Sequence, residues 1–253
     1  MKYAISLILF LSISLTTLFS CSGSKEKKRY IVAVSPNKPP MEMIDEQKRI
    51  VGFDIDVIQA IAERMNISIK IIPVLRSNLF PGLLNETYDI AISSITVSEP
   101  GLSEIIGIDY SKPYLDIGDV IVTSEDFEEY SGPESLKGRI VGIREGSKSR
   151  QVLKNYEGVT IREYKNIDQA FEDMATDKIH AICIDLPTAA SFVKHNIEYK
   201  AIFKIHPHPI TSENYIITLK TGNTALLNRI NTGIDRMKKD GSLNALIEKW
   251  FFN

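Results

Sequence analysis

The chain has 253 residues, with 30 Lys and Arg against 32 Asp and Glu. This near-balance lacks the basic excess of a nucleic-acid-binding surface. Two cysteines exclude a disulfide framework. The four histidines, His180, His195, His206 and His208, stand apart from any Cys or carboxylate cluster, so no metal-ligand spacing and no cofactor is expected.

Residues 1–20, MKYAISLILFLSISLTTLFS, combine one cation, Lys2, with an apolar core and stop before Cys21, the pattern of a secretory signal. The apolar run barely reaches the ~18 residues that a membrane span needs. Leu18, Phe19, Ser20 and Cys21 look like a lipobox, in which Cys21 is acylated and becomes the new N-terminus. Residues 21–29 then form a polar tether. The leader carries one Lys and no acid, so 30 basic residues become 29 against 32 acidic, a net charge of −3. About 230 residues remain, enough for one large domain or two small lobes.

In chain order, residues 29–35 (RYIVAVS) read as a strand. Residues 52–66 read as a helix, since Ile55, Ile58, Ile61, Ala62 and Met65 share one face and Asp54 is placed to cap it. SIKIIPV (68–74) is a second strand, LFPGLLNE (79–86) a short helix and YDIAIS (88–93) a third strand. The pattern repeats in GRIVGI (138–143), a helix from about Ser149, VTIREY (159–164), a helix over 167–177 and HAICI (180–184). Alternating strands and helices argue for an α/β fold with mainly parallel sheets, and two such halves imply two lobes. ENYIITLK (213–220) adds a strand, and residues 224–251 give two helices broken at Asp240-Gly241. Cys183 lies in the apolar run AICI and reads as a small buried hydrophobe. The HPHP run at 206–209 reads as a proline-stiffened loop. No GxSxG elbow and no glycine-rich phosphate loop occurs.

Taken together, AVSPNKPPMEM, VGFDIDVIQAIAERM, YDIAISSITVSEP, IDYSKPYL, LKGRIVGIREGS, HAICIDLP, ENYIITLK and DGSLNALIEKWF follow one another in a known order and approximate spacing. Over almost all of residues 29–253 the chain resembles the periplasmic solute-binding proteins of polar amino-acid ABC uptake systems, family 3 of the bacterial extracellular solute-binding proteins, in lipoprotein form. The resemblance implies a two-lobed type II periplasmic-binding-protein fold with a two-strand hinge. Lobe 1 would comprise residues 30–118 and 215–253, and lobe 2 residues 119–214, with crossings near 117–123 and 212–217. It also implies a monomer at the cell envelope, facing the periplasm or exterior, that hands a small polar solute to a permease.

Site residues follow from the same resemblance. Ser93, Ser94, Thr96 and Ser98 end a first-lobe strand, and Ser94 and Thr96 would contact the ligand in the cleft. Asp185 would take an α-ammonium, while also capping the helix that starts near Pro187. Arg144, with Ser147 and Ser149 after it, stands at a ligand-facing loop; Arg76 and Lys38 fall where relatives carry side chains against the ligand. The family's Arg that clamps the α-carboxylate is missing. Gly101 occupies its place, and residues 89–111 contain no Arg or Lys. Three readings therefore stand: a receptor, a cleft enzyme of the dehydratase type with Glu42, Glu99 or Glu145 as proton donor, and a binding scaffold with altered recognition.

Overall fold

The computed structural model describes residues 28–99, 102–127 and 130–252. The expectations on the leader, on Cys21 and on Gly101 lie outside these residues.

The chain begins with β1 (Arg29–Val34), β2 (Met43–Ile44), β3 (Ile50–Val51), α1 (Phe53–Arg64), β4 (Ser68–Pro73), α2 (Leu79–Leu84) and β5 (Ile90–Thr96). Short strands β6 (Ile108–Tyr110) and β7 (Leu115–Asp116) follow. The middle contains β8 (Asp119–Ser124), β9 (Ile140–Arg144), α3 (Ser149–Leu153), β10 (Thr160–Tyr164), α4 (Ile167–Ala175) and β11 (Ala181–Asp185). It continues with α5 (Leu186–His195), α6 (Ile197–Lys200) and β12 (Phe203–His206), and the tail supplies β13 (Asn214–Lys220), α7 (Thr224–Lys239) and α8 (Ser242–Ile247).

Two sheets result. The first has the order β4-β1-β5-β13-β6, with β7 also paired to β13; the second has the order β10-β9-β11-β8-β12. In each sheet the first three strands are parallel, and the strands added beyond them are antiparallel to their neighbours. The carboxyl ends of β4, β1 and β5 therefore lie side by side, as do those of β10, β9 and β11.

Apolar contacts hold the helices onto each sheet, within one buried cluster that takes in residues of both. In the first, the Ile55, Ile58 and Ile61 stripe of α1 is buried against the sheet, and Phe53 packs on Phe251 from the tail with ring centroids 5.1 Å apart. Asp56 fixes the tail polarly, accepting from Trp250 Nε1 at 2.8 Å and from Lys249 Nζ at 2.7 Å. In the second, Phe171 of α4 stacks on Phe192 of α5 at 4.4 Å and also contacts Tyr199 and Phe203. Burying each such ring contributes roughly 1.5–3 kcal/mol.

The helix expected over 52–66 forms, but Asp54 does not cap it. Gly52 holds the N-cap position at φ 140°, and a Cβ there would lie 2.2 Å from the Met41 carbonyl oxygen. Glycine thus lets the loop carrying Glu42 press against the start of α1. Asp54 sits inside the first turn, fully buried, and turns toward the sheet.

The passages between the sheets are shorter than expected for 117–123 and 212–217, because Asp119–Ser124 already belongs to the second sheet and Asn214 onward to the first. They are zipped together: Ile117 N donates to Glu213 O at 2.7 Å, Asp119 N to Thr211 Oγ1 at 2.7 Å, and Ile210 N to Asp119 O at 2.8 Å.

Candidate functional site between the two sheets

The hydroxyl cluster at the end of β5 is built around an irregularity. Opposite β13, β5 takes four steps from Ala91 to Ile95 where β13 takes two, from Thr218 to Ile216. Such a bulge re-aims side chains, and Ser94 within it adopts φ 49°, a left-handed conformation unusual for a non-glycine residue. Ser94 is held there from two sides. Its N–H donates to Asp54 Oδ2 at 2.7 Å and its hydroxyl to Glu42 Oε2 at 2.8 Å. Ser93 donates to the other Glu42 oxygen at 3.1 Å, and the Tyr114 hydroxyl donates to Asp54 Oδ1 at 2.7 Å. Ser94 is only 2% exposed, so its hydroxyl serves the buried carboxyls instead of the cleft surface.

Glu42 and Asp54 form a buried acidic pair. Burial and the neighbouring Asp54 charge raise Glu42 well above the ordinary carboxylate range, and burial also raises Asp54. Two adjacent carboxyls in so dry a place disfavour ionising both, so the pair as a whole holds protons to higher pH than free carboxylates do.

Lys38 stands above this pair. Its ammonium donates to the Tyr215 hydroxyl and lies 5.0 Å from the ring centroid. Tyr215 is fully buried; burial, then Asp185, holds its phenol strongly protonated. Thr96, the last residue of β5, is half-buried opposite Tyr215 in the β5–β13 pairing. Arg76, in a short 3-10 turn after β4, donates through Nη1 to Ser93 O at 2.9 Å and through Nη2 to both Glu99 carboxylate oxygens at 2.8 and 2.9 Å.

On the second-sheet side, Arg144, Ser147 and Asp185 come together in one cavity of about 280 Å³, alongside Asp119, Lys148, Cys183 and Glu213. Asp185 ends β11 and caps α5, accepting from Thr188 N at 3.0 Å and Thr188 Oγ1 at 2.8 Å. Asp119 is its direct partner in the antiparallel β8–β11 pairing and accepts the hydroxyls of Ser147, at 2.8 Å, and Ser149. The Cys183 thiol is raised by burial, then by Asp119, so it is a neutral wall and not a nucleophile.

Sequence reasoning missed Asp119, Lys148 and Glu213. Glu213 Oε2 accepts Ser98 Oγ at 2.5 Å and Lys148 Nζ at 2.8 Å, linking the end of β5 to the loop after β9. A larger recess of about 640 Å³, lined by Tyr114, Leu186, Pro207 and Ile247 among others, carries none of the expected site residues. Among the described residues, no group of three or more His, Cys, Asp or Glu is placed to hold a metal ion.

Two sheets joined by a double crossing, with ionic and hydroxyl groups at facing strand ends, define a hinged solute-binding protein. The chain belongs to the bacterial extracellular solute-binding proteins, family 3, whose model matches residues 30–253. It is 26% identical over 229 residues to the L-cystine-binding protein TcyJ of Escherichia coli K12, covering 90% of this chain and 84% of that one. Among solved structures, an ancestral arginine-binding protein bound to glutamine is 31% identical, covering 89% of this chain and 98% of that one with a TM-score of 0.53. The unliganded open L-cystine receptor of Neisseria gonorrhoeae, 20% identical, overlaps with a TM-score of 0.75 over 89% of this chain and 93% of that one, a likeness of fold.

Proposed function

We propose that the chain is the receptor of an ABC uptake transporter for an amino acid, anchored at the cell envelope by a lipid on Cys21 and acting as a monomer. Its lobes comprise residues 30–118 with 215–253, and residues 119–214. The carrying observation is that charges of both signs meet at the strand ends: Lys38 and Arg76 stand at carboxyl ends of first-sheet strands, and Asp119 and Asp185 line the second-sheet cavity together with Arg144 and Lys148. A zwitterion suits such a cleft, carboxylate toward the first lobe and ammonium toward the second. Asp185, Arg144 and Ser147 form the second-lobe contacts, and Thr96, Lys38 and Arg76 those of the first.

The mechanism is differential binding. A ligand touching both lobes only in the closed form shifts the hinge equilibrium by the difference in its affinity for the two forms. The permease then reads the closed form. Curated relatives named as cystine-, arginine- and histidine-binding proteins support a binding role over an enzymatic one.

The test is a thermal-shift screen of the purified receptor against α-amino acids, dicarboxylates, amines and small peptides. A ligand at 100 times its Kd stabilises the native state by about 2.7 kcal/mol. Unchanged recovery of the bound compound separates a receptor from a dehydratase, and absence of any shift with α-amino acids refutes the reading. Intact-mass measurement and loss of membrane association in Cys21→Ala test the anchor.

A further inference from the structure

The stretch from Asp89 to Ser111 has no cation of its own, yet one reaches it from outside. Arg76 follows β4, and β4, β1 and β5 run parallel with their carboxyl ends adjacent. From there its guanidinium spans to β5, bonded to the Ser93 carbonyl and to both oxygens of Glu99. The pair lies at the surface and not in the core: the Arg76 side chain is 39% exposed and that of Glu99 is 20% exposed.

Of the other nearby cations, Arg144 faces the cavity from the second sheet, and the lysines differ in kind. Lys38 is engaged with the Tyr215 hydroxyl and Lys148 with Glu213, each as a point donor. Only a guanidinium offers a planar fork matched to a carboxylate. Glu99 shows that a carboxylate fits here: both of its oxygens lie on Arg76 Nη2, while Nη1 is held by the Ser93 carbonyl and so fixes the guanidinium in place.

Building on the receptor reading, we propose that Arg76 receives the ligand's carboxylate and that Glu99 fills that place in the empty receptor, leaving it when ligand arrives. The exchange swaps one carboxylate for another, so Arg76 is never left unpaired, which would be costly in a closing cleft. It also sets a threshold. A ligand must offer, beyond its carboxylate, contacts to the second lobe that Glu99 cannot make, and this disfavours simple carboxylates against amino acids.

The experiment is titration calorimetry on receptor purified from cells expressing the full chain, using the twenty standard α-amino acids and then the α-carboxamide of the tightest binder. Arg76→Gln should weaken the amino acid by about 30-fold or more. Glu99→Gln should tighten it several-fold, an effect that vanishes in the Arg76→Gln background. The carboxamide should bind wild type far more weakly than the acid and lose this disadvantage in Arg76→Gln. If Arg76→Gln fails to fold because Ser93 loses its partner, Glu99→Gln and the carboxamide comparison decide. Undiminished binding by Arg76→Gln, or weaker binding by Glu99→Gln, overturns the exchange while leaving the receptor intact. If wild type binds no α-amino acid, the receptor reading fails and the exchange falls with it.

Discussion

Gly118 lies directly against Thr211, where the two passages between the sheets run side by side. A Cβ on Gly118 would meet the Thr211 carbonyl oxygen at 1.8 Å, a backbone atom that cannot swing away. Gly118→Ala therefore has to push the crossings apart and disturb the bonds from Asp119 N to Thr211 and from Ile210 N to Asp119. We expect a loss of about 1–3 kcal/mol in urea unfolding, together with altered closure on ligand. An unchanged urea midpoint would show that this contact does not constrain the hinge.

The buried Glu42–Asp54 pair makes stability pH-dependent with a definite sign. Unfolded, Glu42 releases its proton near its ordinary pKa of 4.5; folded, burial and Asp54 make it hold the proton to much higher pH. The folded state then binds more protons than the unfolded one, so this contribution falls as pH rises above about 4.5, by up to ~1.4 kcal/mol per pH unit. Glu42→Gln, a neutral isostere that still accepts from a serine hydroxyl, should flatten the slope between pH 5 and 9 in denaturation curves. A slope identical to wild type would mean that Glu42 is ionised in the fold.

Tyr114 supports the other carboxyl of the pair. Its hydroxyl donates to Asp54 Oδ1, and both residues are buried. Tyr114→Phe keeps the ring packing on Phe53 but leaves a buried oxygen short of a donor, at a cost of about 1–3 kcal/mol. Calorimetric unfolding should show the loss, and Tyr114→Phe combined with Asp54→Asn should lose less than the sum of the two.

These two residues also show where sequence reading reached its limit. The helical stripe of Ile55, Ile58 and Ile61 was legible because its period is local. Asp54 was misread as a cap because its partners, Ser94 N and Tyr114, lie forty and sixty residues away in the chain. Likewise, the crowded hydroxyls after β5 signalled a special site, but Ser93 and Ser94 answer to Glu42, more than fifty residues earlier. Two-residue strands such as β2, β3 and β7 carry no period at all. Asp119 was missed because its role arises from pairing with β11 opposite Asp185, a register that no local pattern announces.

Asp185 combines two roles that substitution can separate. Serine is as good an N-cap as aspartate, so Asp185→Ser should stay within about 0.5 kcal/mol of wild type in stability while losing amino-acid affinity. Asp185→Ala should lose the affinity and also about 1 kcal/mol of stability, since Thr188 N is left without its acceptor. Retained affinity in Asp185→Ser would remove Asp185 from the binding site.

The insertion of β13 between β5 and β6 has a consequence for the nascent chain. The middle of the first sheet is supplied by residues 214–220, so β5, although made early, has no neighbour on that side until most of the polypeptide has emerged. The second sheet comes from one uninterrupted stretch and can close on itself sooner. During synthesis the bare flank of β5 is an adhesive edge, open to pairing with another chain.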